Sequence, residues 1–138
     1  MVRKLAVGFG IVFMIVIGLG WMPQCITEMH MTPSGPERTM FGLFKMSMLD
    51  DVTHGLSALL LLAASLKSRP ASLLALTAFG WYYAYDATIY LVTGVLQSKP
   101  LGQNIGLNIP HVIISGIMLW LAYRGRANAP SAAATAPA

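Results

Sequence analysis

Four long apolar runs, separated by short basic or turn-forming segments, decide which solvent this chain folds in. They are Leu5 to Met22, Ser47 to Leu66, Ser72 to Leu96 and Ile109 to Tyr123, the last reaching back to about Leu107 for full length. Roughly 20 apolar residues in a helix cross a bilayer. Lipid offers no water to backbone N–H and C=O groups, so a span is a helix or part of a closed barrel. Barrel strands alternate apolar and polar residues, and these runs do not. The expectation is an all-α fold: an integral membrane four-helix bundle spanning about 5–22, 47–66, 72–96 and 107–123. Composition agrees, since 56% of residues are apolar and only 10% charged, too little charge to coat a water-soluble domain.

The basic residues give the chain its net charge of +4, and their positions set its orientation. Arg3/Lys4, Lys67/Arg69 and Arg124/Arg126 flank the runs and fall on one side of a four-span arrangement. Basic residues next to spans mark the cytoplasmic side, so both termini are expected there. No basic stripe with interleaved aromatics is present, which argues against nucleic acid. The run from Leu5 to Met22 exceeds a signal-peptide core and is followed by no small-residue cleavage site, so the first helix is expected to be retained. Met22-Pro23-Gln24 ahead of Cys25 is a poor lipoprotein context, and a single cysteine excludes an internal disulfide.

The bundle domain is expected over residues 1–126, followed by a flexible Ala/Pro tail at 127–138, whose composition cannot build a core. The opposite side carries Pro23 to Met46, rich in turn formers, with a short helix expected near Phe41 to Lys45, and a smaller loop from Gln97 to Gly106. Asp51-Val52-Thr53-His54 and Asn108-Ile109-Pro110-His111 open the second and fourth helices with an Asp or Asn three residues ahead of a His. Two tandem helical hairpins related by an axis along the membrane normal would produce such a repeat.

Chemistry-bearing residues gather at these entries. Asp51, His54, Asp86, Asn108 and His111 are expected to turn inward in the outer half, because an ionisable group facing hydrocarbon costs several kcal/mol. Asp86 then meets His54, His111 or a tyrosine hydroxyl. The plain reading is structural: Asp51 and Asn108 as helix N-caps, with Pro110 in the first turn. The sharper readings are haem b held by His54 and His111, or a divalent metal held by both with Asp86.

Six of nine methionines lie between Met22 and Met48. Cys25, Met29, His30, Met31, Met46 and Met48 supply the soft ligands that suit copper, although methionine is also a flexible filler at membrane-covering surfaces. Gly8, Gly10, Gly18 and Gly20 on the first helix are expected to let another helix approach closely.

Taken together, the two Asp/Asn-x-x-His strings, with Gly55 and Gly116 following, resemble a family of small bacterial four-helix membrane proteins classed as a domain of unknown function. Asp51 in place of Asn and the methionine-rich loop depart from the family's pattern. The resemblance covers residues 1 to about 125, implies a bacterial inner-membrane protein, and carries no activity.

No nucleophile–base pair, phosphate loop or convergent carboxylate pair stands out. The expected function is a non-enzymatic accessory or structural subunit of a larger membrane complex, with the bilayer and other membrane subunits as partners and no cofactor. The alternatives are a copper- or haem-binding membrane protein and a small ion- or proton-coupled transporter.

Overall fold

The computed structural model describes residues 1–128, so the expected tail lies outside the described residues apart from Ala127 and Asn128. Among the described residues there are four helices: α1 (Val2–Leu19), α2 (Met48–Lys67), α3 (Arg69–Leu96) and α4 (Leu101–Ala127). Between α1 and α2 the chain forms three strands, β1 (Ile26–Thr32), β2 (Gly35–Met40) and β3 (Phe44–Met46), in an antiparallel sheet of order β1-β2-β3.

The sheet corrects the all-α expectation, and the reason is local. Phe41 and Gly42 both adopt positive φ, at 55° and 69°. Left-handed residues in succession cannot continue an α-helix, so the segment expected as a short helix becomes the turn at 41–43 and the first two residues of β3. The Gly42 N–H donates to Thr27 Oγ1 at 2.7 Å, and that hydroxyl donates to the Thr39 carbonyl at 2.8 Å, tying the turn to β1.

Helix ends follow their capping chemistry. Ser47 caps α2, accepting from the Asp50 N–H, while Asp50 accepts from the Ser47 N–H at 2.7 Å. This reciprocal capping box removes the expected cap role from Asp51. Ser68 ends α2 and caps α3, with Pro70 in the first turn of α3. The second long loop shrinks to Gln97–Pro100, because α4 starts at Leu101 rather than near Leu107. Asn108 is therefore not a cap, and Pro110 sits inside α4 instead of in its first turn.

The helices pair as α1 with α2 and α3 with α4, and the pairs are built alike. In α1 the buried positions are Val2, Ala6, Gly10 and Phe13; in α3 the set Ser72, Leu76, Gly80 and Tyr83 has the same spacing. In α2 they include Asp51, Ala58, Leu61 and Ser65, matched in α4 by Asn108, Ser115, Met118 and Ala122. The closest approaches coincide too. A Cβ at Gly10 would lie 2.8 Å from Leu62 Cγ, and a Cβ at Gly80 would lie 2.8 Å from Leu119 Cγ, with each leucine eight residues after its hairpin's histidine. In lipid, close packing of small residues drives helix association.

At the end opposite the sheet, Arg3 Nε donates to the Ser65 carbonyl at 2.5 Å and Arg69 Nη2 to the Gly125 carbonyl at 2.5 Å. Each arginine opens the first helix of its hairpin and closes the C-terminus of the second, where a cation also meets the helix dipole.

The hairpins differ in height. Phe13 and Tyr83 stack, with ring centroids 5.0 Å apart. Beyond that layer α1 runs only to Leu19, whereas α3 runs to Leu96. At 1.5 Å per residue the second hairpin extends about 10 Å further, and the sheet sits over the shorter one.

Candidate functional site

Two polar centres lie near the sheet end. The first is closed. Arg38 of β2 is fully buried, its Nη1 donating to the Gly20 carbonyl at 2.7 Å and its Nη2 to Asp51 Oδ2 at 2.5 Å. Trp21 Nε1 donates to the same carboxylate oxygen at 2.9 Å, and the Trp21 ring lies 4.0 Å from the guanidinium carbon. A buried carboxylate requires this kind of pairing, since an isolated buried charge is costly. Strand alternation aims Arg38 at the helices, Ser47 capping fixes where α2 begins, and that beginning places Asp51 under the sheet.

The second centre joins α2, α3 and α4 around Tyr83. Its ring packs on His54, with centroids 6.1 Å apart, and on His111 at 6.0 Å; Tyr90 stacks on His111 at 6.1 Å and 4°. The Tyr83 hydroxyl donates to Ser57 Oγ at 3.1 Å, and that serine donates to the Thr53 carbonyl. His54 Nδ1 lies 2.7 Å from the Asp50 carbonyl, an acceptor that favours the tautomer with its proton on Nδ1. His111 Nε2 lies 3.5 Å from Asp86 Oδ2, near enough for charge attraction and long for a strong hydrogen bond. Asp86 and His111 are 29% and 26% exposed, so this pair opens sideways. Tyr82, Asp86 and Tyr90 form one stripe along α3 at four-residue spacing, and both tyrosines are exposed.

Of the five residues expected to converge, His54, His111 and Asp86 share this centre, Asp86 taking His111 as its partner. Asp51 belongs to the closed centre. Asn108 forms a separate rung within α4, donating to the Asn104 carbonyl at 2.7 Å while Asn104 donates to the Leu91 carbonyl at 2.8 Å. Tyr83 is the shared neighbour of both imidazoles, and neither imidazole packs on the other. A bis-histidine haem needs two imidazoles facing across a porphyrin; here each imidazole packs on the Tyr83 ring.

The six soft-ligand candidates are spread over the segment before β1, β1, β3 and the start of α2. Met29 and Met31 share one face of β1 and His30 takes the other, where it lies 3.4 Å from Glu28. Met46 is buried, and a Cβ at Gly20 would lie 3.1 Å from its sulfur. Met48 begins α2, and Cys25 precedes β1 as a free thiol. Arg38 stands in the cross-strand row between Met29 and Met46, and a guanidinium there opposes a copper ion. Among the described residues, no group of three or more His, Cys, Asp or Glu side chains is placed to hold a metal.

On helix one, Gly10 meets α2 and Gly20 meets Met46, whereas Gly8 and Gly18 face open space. Sequence reasoning missed Arg38 and gave Tyr83 no role of its own. The signal for Arg38 was the alternation of Glu37 and Thr39 against Pro36, Arg38 and Met40, a period-two pattern. For Tyr83 it was Gly80-x-x-Tyr83 repeating Gly10-x-x-Phe13.

By length and composition α1, α2 and α4 are able to cross a membrane; α3 is the longest helix, with its apolar run diluted by tyrosines, threonines and Asp86. These features are compatible with a membrane protein whose helices carry a small sheet at one end. The chain belongs to the family described as a domain of unknown function (DUF4383), which it matches over residues 3–123. No curated protein and no solved structure matches it.

Proposed function

We propose that this chain is a non-enzymatic, four-span protein of the bacterial inner membrane, acting as an accessory subunit of a larger membrane assembly. Its termini are cytoplasmic and its sheet lies outside. The basic clusters at one end of the bundle support that orientation.

One observation carries the subunit reading: the sideways opening of the Asp86–His111 pair in the exposed stripe of Tyr82 and Tyr90. Acyl chains cannot satisfy an ionisable pair, so such a pair requires a polar cover. A neighbouring subunit supplies one. A photo-crosslinking residue at Tyr82 should capture one discrete membrane partner in native membranes, while the same residue at Leu60, exposed on α2, should capture none. Wild-type protein that migrates alone in mild detergent, with no discrete product from position 82, would sink the proposal.

A second reading, a proton-coupled carrier, draws on Tyr83 linking His54, His111 and Ser57 beside Asp86. In that case water rather than protein covers the opening. Proton flux into liposomes that vanishes in Asp86→Asn would favour it, and equal flux in empty liposomes would remove it.

A further inference from the structure

We propose that the three-stranded sheet rests on the lipid surface, its methionine face seated at the boundary between headgroups and acyl chains of the outer leaflet. The proposal rests on the membrane reading above and adds a lipid-contacting role for Met29 and Met31.

Side chains alternate across a strand, and the register sorts this sheet into two unlike faces. Met29 pairs with Arg38, and Arg38 pairs with Met46; Met31 pairs with Pro36, and Met40 with Phe44. These residues share one face. Glu28 pairs with Thr39, His30 with Glu37, and Thr39 with Lys45, so the opposite face carries every ionisable residue of the sheet except Arg38. Lys45 Nζ donates to Glu37 Oε1 at 3.1 Å on that face.

Arg38 fixes which way the methionine face points. Its side chain enters the bundle, ending on the Gly20 carbonyl and on Asp51. The methionine face is therefore turned toward the helices and their lipid. Along the row from β3 to β1, Met46 and Arg38 are buried and Met29 is 50% exposed; Met31, further along β1, is 78% exposed. The face covers the helices under β3 and β2, then overhangs them under β1. Among the described residues Met29 and Met31 stay exposed on this overhang, which leaves room for an occupant from outside.

Continuity identifies that occupant as lipid. Trp21 and Met22 follow α1, Met48 and Leu49 begin α2, and all four are exposed at this level, next to helices apolar enough to span. Tryptophan at such a level is the usual mark of the membrane interface. Flexible thioethers fill irregular acyl surfaces well. Interfacial amphipathic helices bury their apolar side about 5–10 Å into the boundary, and this sheet has the same division into an apolar and a polar face. The ionisable residues of the polar face face water, so seating requires no anionic lipid.

The test places single cysteines at Met29, Met31, Glu28 and His30 in a Cys25→Ser background, labels each with a fluorophore, and reconstitutes the full chain in phosphatidylcholine vesicles. A fifth label at Met14→Cys, exposed midway along α1, reports on spanning itself. Labels at 29 and 31 should be quenched by brominated acyl chains and shielded from iodide, with the reverse at 28 and 30. Adding phosphatidylglycerol should leave the pattern unchanged. Iodide quenching of equal strength at 28, 29, 30 and 31 overturns the proposal. If the label at 14 is quenched by brominated lipid in that case, the sheet stands in water above a spanning bundle and only this inference fails. If the label at 14 is not quenched, the membrane reading fails with it.

Discussion

In the α1–α2 hairpin the position three residues ahead of the histidine is Asp51, charged and closed off by Arg38 and Trp21. In the α3–α4 hairpin the equivalent position is Asn108, neutral and satisfied within its own helix. Helix spacing is the same in both. The connection differs: one hairpin is joined through a sheet that delivers a cation, the other through the turn Gln97–Pro100. Conversely, the second hairpin places Asp86 one turn beyond its aromatic layer, where the first has Val16, and leaves that carboxylate open. One scaffold thus holds a locked charge and an accessible charge at nearly the same level. What joins the helices decides which.

The largest test of this contrast removes the cation. Arg38→Ala leaves Asp51 buried without its partner and should destabilise the fold by about 3–5 kcal/mol, read as loss of thermal stability in detergent. The double variant Arg38→Met/Asp51→Leu should recover most of that loss, because apolar replacements leave no charge stranded. No recovery would mean that the sheet is held by something other than the pair.

The shared register is tested next. Gly10→Ala and Gly80→Ala push a methyl group against Leu62 and the Ala58 carbonyl, or against Leu119 and its backbone nitrogen. Each should cost about 1–3 kcal/mol by overpacking, while Gly8→Ala and Gly18→Ala stay within about 0.5 kcal/mol. Equal effects at all four sites would break the proposed equivalence of the hairpins.

The neutral rung is worth less. Asn108→Ala removes one hydrogen bond and should cost about 1 kcal/mol, well below Arg38→Ala in the same thermal assay. A cost as large as the ion pair's would show that charge is not what separates the hairpins. The smallest effect lies at the basic end, where Arg3→Ala and Arg69→Ala should each lose about 0.3–1 kcal/mol of C-terminal helix stabilisation, and similarly in both hairpins.

The helices were legible because long apolar runs punctuated by short polar turns mark them directly. Their starts were less so, because Ser47 and Asp50 captured the cap and moved Asp51 into a different role. The sheet was hidden by its turn formers and by the methionine density, which reads as membrane cover until the alternation is counted. The meeting of Asp86 with His111 followed from the cost of charge in hydrocarbon. Tyr83 as the common neighbour of His54 and His111 did not, because it depends on how two hairpins face each other, and no local string encodes that.

The position of Arg38 has a consequence for biogenesis. In the proposed orientation, the segment that carries this guanidinium leaves the cytoplasm before α2 exists to receive it, since Asp51 follows it in the chain. During synthesis the α1–α2 half therefore passes through a stage with both charges unmatched, and its seal forms only when the second helix threads in. The α3–α4 half, joined by a four-residue turn, has no comparable wait, and in the same proposed orientation it would enter the bilayer as a ready-made unit.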